Sequence, residues 1–192
     1  DLDISKPIGN VIVDIGGGTT EVAVISLNGV VTKKAIKVAG DVMDHDIQNY
    51  FRNTHRLEIG DRTAEQIKIS VGSAMRSRSK NILVKGRDLV SGIPKTIDVR
   101  SDEIRQALKD SVKRILEVVK DALESTPPEL SSDIIDRGIL VAGGGAQLRG
   151  LDQVIREKTN VPCNVVEEPH LAIVKGCGKI IEDLEKYKHV LI

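Results

Sequence analysis

Three short stretches of this sequence combine residue types suited to holding a polyanionic ligand. The first is Val13-Asp-Ile-Gly-Gly-Gly-Thr-Thr-Glu21, where an acid near the end of an apolar run is followed by three glycines and two threonines. Glycines let backbone N–H groups approach anionic oxygens with no Cβ in the way, and threonine hydroxyls add donors. Gly16, Gly17, Gly18, Thr19 and Thr20 therefore suit a phosphate-binding loop. Asp14 could hold Mg2+ through its water shell, because magnesium takes oxygen ligands and keeps much of its hydration. Read alone, the same stretch also fits a glycine-rich hairpin with a satisfied aspartate.

The second stretch, Val141-Ala-Gly-Gly-Gly-Ala-Gln-Leu-Arg-Gly150, also follows an apolar run and precedes a helical pattern. It is not a dinucleotide fingerprint, since G-x-G-x-x-G needs glycine where Leu148 stands. Gly178-Lys179, followed by Ile180, is no Walker A motif either. Taken alone it is a weak signal, because glycine-rich strand-to-helix turns are common for packing reasons. The third stretch is Glu65-Gln66-Ile67-Lys68, in which Glu65 and Lys68 are three apart on one helical face. Both could reach one polar ligand such as a ribose, or simply pair with each other at the surface.

These stretches need elements to position them. Residues 10–14, 20–26 and 30–38 read as strands, and the turn Leu27-Asn28-Gly29 between two of them carries the Asn-Gly hairpin signal, which predicts a three-stranded antiparallel meander. Met43, Ile47, Tyr50 and Phe51 then take helical spacing. Thr63-Ala-Glu-Gln66 reads as a capping box for a short helix through Val71, with weak strands at 82–85 and 95–99. Ser101 is placed to cap a long helix carrying Ile104, Leu108, Val112, Ile115, Val119 and Leu123, which Pro127-Pro128 end. A strand over 136–142, a helix over 151–158, a strand over 163–166 and a helix from about Pro169 to Tyr187 complete the chain. The predicted fold class is α/β, a mixed five-strand sheet with helices on both faces. The more polar residues 41–100 form a small inserted α+β subdomain outside its core.

Composition removes several functional classes. The 192 residues carry 28 Lys+Arg against 28 Asp+Glu, and a net charge of zero argues against a generic nucleic-acid binder. Tyr50, Phe51 and Tyr187 are too few aromatics for a base-stacking platform, so no nucleic-acid partner is expected. Cys163 and Cys177 make neither a disulfide framework nor a zinc site and are expected to be packing residues. His45, His55, His170 and His189 have no partner at motif spacing, and Arg76-Ser-Arg78-Ser-Lys80 reads as a solvated loop. No apolar run reaches the roughly 18–20 residues of a membrane span, and the N-terminus is no signal peptide, so a reducing, cytoplasmic location is expected. The chain begins without Met, just before a strand, and reads as a piece of something longer.

The order of these motifs resembles the second half of the actin-like ATPase superfamily, whose core is ribonuclease H-like. Asp14–Thr20 matches its phosphate-2 loop, Gly143–Gln147 its adenosine motif, and Pro169-His-Leu-Ala-Ile-Val-Lys-Gly-Cys-Gly178 its connect-2 element. Within that superfamily the chain is similar to the MreB family of bacterial actins. The similar blocks are Val13–Leu27, Ala39-Gly-Asp41 with Met43-Asp44, Ile59-Gly60 with Arg62-Thr-Ala-Glu65, Thr126-Pro-Pro-Glu-Leu130 with Ser132-Asp-Ile-Ile135, and Arg149-Gly-Leu-Asp152.

The resemblance implies an ATP-binding half of a cytoskeletal protein whose filaments, at the inner face of the cell membrane, direct wall synthesis and rod shape. Gly16, Gly17, Gly18, Thr19 and Thr20 would contact the phosphates of ATP or ADP, with Asp14 on the waters of Mg2+. Glu65, Gln66, Ile67 and Lys68 would line ribose and adenine, and Gly143, Gly144, Gly145, Ala146 and Gln147 would pack from the opposite side. Residues 1–40 and 101–192 would be subdomain IIA, and 41–100 subdomain IIB. Implied partners are further copies of the protein and wall-synthesis proteins such as MreC and RodZ. The family's phosphate-1 loop, connect-1 helix, water-positioning acid and membrane-insertion elements belong to the other half. Glu167-Glu168 is not that acid, so no catalytic residue is assigned, and hydrolysis is expected of an intact parent rather than of these residues alone. Two rival readings share the phosphate loops. One is a DnaK-type chaperone, which would carry a β-domain after the closing helix. The other is a sugar or acetate kinase, whose substrate pocket the other half would largely build. The MreB-type blocks argue against both.

Overall fold

The computed structural model describes residues 2–76, 78, 80–185, 187 and 188; Ser77, Ser79 and His189 lie outside the described residues. In chain order the elements are β1 (Asn10–Ile15), β2 (Thr20–Ser26), β3 (Gly29–Ile36), α1 (Gly40–Tyr50), a π-helical turn (Phe51–His55), β4 (Leu57–Glu58) and α2 (Asp61–Val71). There follow β5 (Asn81–Asp88), β6 (Pro94–Arg100), α3 (Ser101–Ala107), α4 (Lys109–Glu124), α5 (Pro128–Arg137), β7 (Ile139–Ala142), α6 (Leu151–Thr159), β8 (Cys163–Val165) and α7 (Ala172–Glu182). Among the described residues, no helix is long and apolar enough to cross a membrane.

Strict alternation makes β1 and β2 two-faced. Val11, Val13, Ile15, Thr20, Val22 and Val24 are buried on one side, while Ile12, Asp14, Glu21, Ala23 and Ile25 on the other are half-buried. The first face packs under α4 and shares one continuous apolar cluster with α1, α2, α3 and α6. α5 packs beside the start of β1, where Leu130 and Ile134 close over Gly9. The five strands run β3-β2-β1-β7-β8, with β1 antiparallel to β2 and parallel to β7. A separate three-stranded sheet, β4-β5-β6, draws on residues 57–100. Its buried residues Leu57, Val84 and Val99 join the apolar cluster of the main sheet.

Several local expectations shift for identifiable reasons. α2 starts at Asp61 behind Gly60, so Thr63 and Gln66 lie inside it rather than forming its cap. The long helix is two helices, kinked at Leu108 (φ −80°, ψ −6°), and its cap is the Arg100 N–H donating to Glu103 Oε1 (3.0 Å). Ser101, inside that first turn, accepts instead from the Lys80 N–H (3.0 Å). Pro128 does more than end α4: it opens α5 at the first helical position, where a missing N–H costs nothing. β5 and β6 run longer than the apolar signal suggested, and the last helix stops at Glu182. Cys163 is buried, which raises its thiol pKa to about 11, but Cys177 is exposed and is not a packing residue.

The hairpin turn is tighter than the three residues Leu27–Gly29 that the sequence suggests. Ser26 pairs with Gly29, leaving Leu27 (φ 50°) and Asn28 (φ 60°) as a two-residue turn in which both backbones are left-handed. Leu27 is 63% exposed, so no packing offsets its strain. Leu27→Asn should therefore raise stability by about 1 kcal/mol, the cost of a left-handed conformation for an ordinary side chain. The urea midpoint reads this directly, and a lowered midpoint would refute it.

Candidate functional site: a cleft between two glycine-rich turns

β1 and β7 are parallel neighbours in the register Val13↔Val141 and Asp14↔Ala142. The turns that follow them therefore leave the sheet side by side. In open α/β sheets a crevice forms at the carboxyl ends of strands where chain direction switches, and β1 is such a strand.

The first turn is closed by the Gly16 N–H donating to Thr19 O (3.0 Å). Its carbonyls are held by the start of α1: Gly40 N–H donates to Gly16 O (3.1 Å) and Asp41 N–H to Gly17 O (2.9 Å). A trans peptide points each carbonyl opposite the following N–H, so this anchoring turns the Gly17 and Gly18 N–H groups away from α1. Neither has an acceptor among the described residues. They are preset donors.

The second turn begins at Gly143 (φ 84°, ψ 164°), whose N–H donates to Pro169 O (2.8 Å), and continues as a 3₁₀ turn over Gly144–Gln147. It approaches the first so closely that a Cβ on Gly143 would lie 2.5 Å from Asp14 Oδ1. α2 forms the remaining wall. Lys68 Nζ donates to Gly40 O (2.9 Å) and to Asp44 Oδ2 (2.7 Å), which straps α2 to α1. Beyond the end of α2, Ala74 N–H donates to Arg149 O (2.8 Å), and the Arg149 guanidinium donates back to Ser70 O, which straps α2 to the second turn.

Together these walls enclose a cleft of about 420 Å³. Of the residues singled out in the sequence, Gly16, Gly17, Glu65, Lys68, Gly144, Gly145 and Gln147 line it. Gly18 and Thr19 are exposed on the same turn, and Gly143 and Ala146 are buried supports of the other. Three residues are placed elsewhere. Thr20 is wholly buried, and its hydroxyl donates to Val38 O (2.7 Å). Ile67 belongs to the core, and Gln66 opens onto a separate groove between α2 and β5. The cleft also includes Gly40, Asp41, Met43, Asp44, Ile69, Gly72 and Leu148, which the sequence motifs do not mark as ligand contacts. The block Ala39-Gly-Asp41 with Met43-Asp44 was the signal for four of them: a Cβ on Gly40 would sit 3.4 Å from both Gly16 O and Lys68 Nζ.

Asp41, Asp44 and Glu65 line the cleft, while Asp14 lies beside it, behind Gly143; of these, Asp14 and Asp44 have shifted titration. Asp14 is raised above the ordinary carboxylate range, first by burial and then by Glu21 nearby, and its Oδ1 is buried without a partner. Asp44 is raised by burial, which outweighs the lowering by Lys68. An orphaned carboxylate oxygen under a phosphate-type turn fits a hydrated divalent cation. Among the described residues no three His, Cys, Asp or Glu converge. Asp14 would therefore share such a cation with water and ligand oxygens, the manner of magnesium.

The family model for MreB/Mbl protein matches residues 1–189. The chain is 48% identical to the cell shape-determining protein Mbl of Bacillus subtilis over 96% of its own length and 56% of that protein's. It thus spans about half the length of the curated relatives it matches. MreB5 of Spiroplasma citri, solved bound to AMPPNP, superposes with a TM-score of 0.92 at 36% identity, covering 98% of this chain and 57% of that one. MamK, solved as a double helical filament, superposes with a TM-score of 0.70 at 26% identity over 84% of this chain and 50% of that one. The α/β sheet flanked by helices is therefore an actin-like fold, and the chain belongs to the MreB/Mbl family.

Proposed function

We propose that the cleft binds an adenine nucleotide and that the chain is the nucleotide-binding half of an MreB-type filament protein. One observation carries this reading. The turns after β1 and β7 meet at one sheet edge, with the Gly17 and Gly18 N–H groups left as donors beside a cleft that α2 closes. Phosphates would sit on Gly16–Thr19, where backbone amides can meet anionic oxygens without a Cβ between them. Ribose and adenine would lie between Glu65 and Lys68 on one side and Gly144–Gln147 on the other. Thr20 would serve the site by tying the turn to Val38 and Ile67 by packing α2, while exposed Gln66 has no role in it. Asp14 would hold the water shell of Mg2+, which supplies charge neutralisation at the phosphates when bound.

The relative solved with AMPPNP supports the nucleotide, and the MamK filament supports assembly with further copies of the protein. Within that reading, residues 1–40 and 101–192 are subdomain IIA and 41–100 subdomain IIB. The filament works in the cytoplasm at the inner face of the membrane, with wall-synthesis proteins such as MreC and RodZ. No residue of this chain is assigned a catalytic role.

Gly18→Ala tests the placement of the phosphates. Gly18 lies outside the left-handed region and a Cβ there meets nothing within 4 Å, so the variant should fold normally. Its methyl would stand at the phosphate-binding face of the turn. Calorimetric titration of the intact protein should show ATP binding weakened about tenfold, the worth of one charge-assisted hydrogen bond. Unchanged affinity would move the phosphates elsewhere.

A further inference from the structure

We propose that Asp44 is a positioning residue of this cleft, fixing the Lys68 ammonium and, with it, α2 against the phosphate-binding turn. The inference rests on reading the cleft as a nucleotide site. Among the described residues that line it, Lys68 is the only Lys or Arg, and it faces Asp41, Asp44 and Glu65. An anionic nucleotide whose ribose and adenine lie beside three acids depends on where that single cation stands. Lysine carries its charge on a flexible four-carbon stem, so the position must be imposed by its partners.

Two partners impose it here, and both belong to α1 while Lys68 belongs to α2. Gly40 O accepts at 2.9 Å and Asp44 Oδ2 at 2.7 Å, and Lys68 and Asp44 are each only 16% exposed. An ammonium has three N–H donors, so this leaves one for a ligand. The same Gly40 gives its own N–H to Gly16 O. A single residue thus receives the adenosine-side strap on its carbonyl and anchors the phosphate turn through its amide. The Asp44 carboxylate is the charged member of that strap. Its burial, which pushes its pKa up, would be untenable without the ammonium beside it.

The test is nucleotide affinity of the intact protein carrying Asp44→Asn, Asp44→Glu, Lys68→Met, or Asp44→Asn with Lys68→Met, alongside thermal melting without nucleotide. Asp44→Asn should weaken ATP binding about tenfold, and Asp44→Glu, which keeps the charge, should bind more tightly than Asp44→Asn. The double variant should bind no more weakly than Lys68→Met alone, because Asp44 acts only through Lys68. A merely structural role would lower the melting temperature of each variant without that non-additivity in affinity. Multiplying losses in the double variant, or Asp44→Asn with unchanged affinity, would overturn the proposal while leaving the nucleotide site standing. A wild-type protein that binds no ATP would overturn the reading of the cleft itself, and this inference with it. If Asp44→Asn fails to fold, the comparison of Asp44→Glu with Lys68→Met decides: an affinity loss in Asp44→Glu exceeding that of Lys68→Met would be fatal.

Discussion

Gly143→Ala should destabilise the protein by about 3 kcal/mol or more, while Gly144→Ala, one residue on, should change stability by less than about 1 kcal/mol. Gly143 has φ 84° and ψ 164°, a region that essentially only glycine occupies. A methyl there would also press on Ile15 O and lie 2.5 Å from Asp14 Oδ1, both on the neighbouring strand end. The backbone cannot yield, because the Gly143 N–H is bonded to Pro169 O and the strand before it is locked between β1 and β8. Gly144 has neither constraint: its φ lies outside the left-handed region and a Cβ meets nothing within 4 Å. Its methyl would instead enter the cleft. The two neighbours should therefore separate cleanly, one lost in urea denaturation and the other only in nucleotide titration. Equal stability of the two variants would mean that the β1 and β7 turns do not approach as described.

What could be read from the sequence depended on the range over which each feature is decided. β2 is set by local alternation, β1 and β7 by short apolar runs, and motif order alone placed the two glycine turns on strands of one sheet. The burial of Thr20 was legible too, since it continues the period-two face of Val22 and Val24. The same holds for Ile67, which shares a helical stripe with Ala64 and Val71 and so faces the core. Reading Glu65–Lys68 as one contact block overrode that periodicity. β4 could not be read: two residues make a strand only because Leu57 and Glu58 find Asp88 and Arg87. Nor could the roles of Gly40 and Asp44, which come from α1 meeting β1 and α2 across 24 or more residues. The turn over Leu27–Gly29 was legible from Asn-Gly, but that Gly29 already pairs with Ser26 was not, because the strand register is decided across the whole β2–β3 pair.

Asp14→Asn should make the protein more stable and a worse nucleotide binder. Asp14 ends up half-buried at the carboxyl end of β1, with Oδ1 lacking any partner and Glu21 adding repulsion. Its folded pKa is raised above the unfolded value. The neutral acid is therefore the form the fold tolerates, and stability present below the carboxylate range is lost as pH rises through the folded pKa. At neutral pH, without magnesium, the ionised carboxylate is a standing cost. Replacing it by an uncharged amide of the same shape should raise stability by about 1 kcal/mol or more. Denaturation at pH 7 should show the gain, and the advantage should vanish when both proteins are compared below the carboxylate range. The same charge is what a hydrated Mg2+ would use. Asp14→Asn should thus weaken ATP binding roughly a hundredfold in the presence of magnesium, the upper range for a lost charged contact, and far less in its absence. A variant less stable than wild type at pH 7, or one that loses affinity equally with and without magnesium, would make Asp14 a strut of the hairpin. Opposite signs for stability and binding are what a buried charge kept for a cation must show, because no neighbour in the fold compensates it until the ligand arrives.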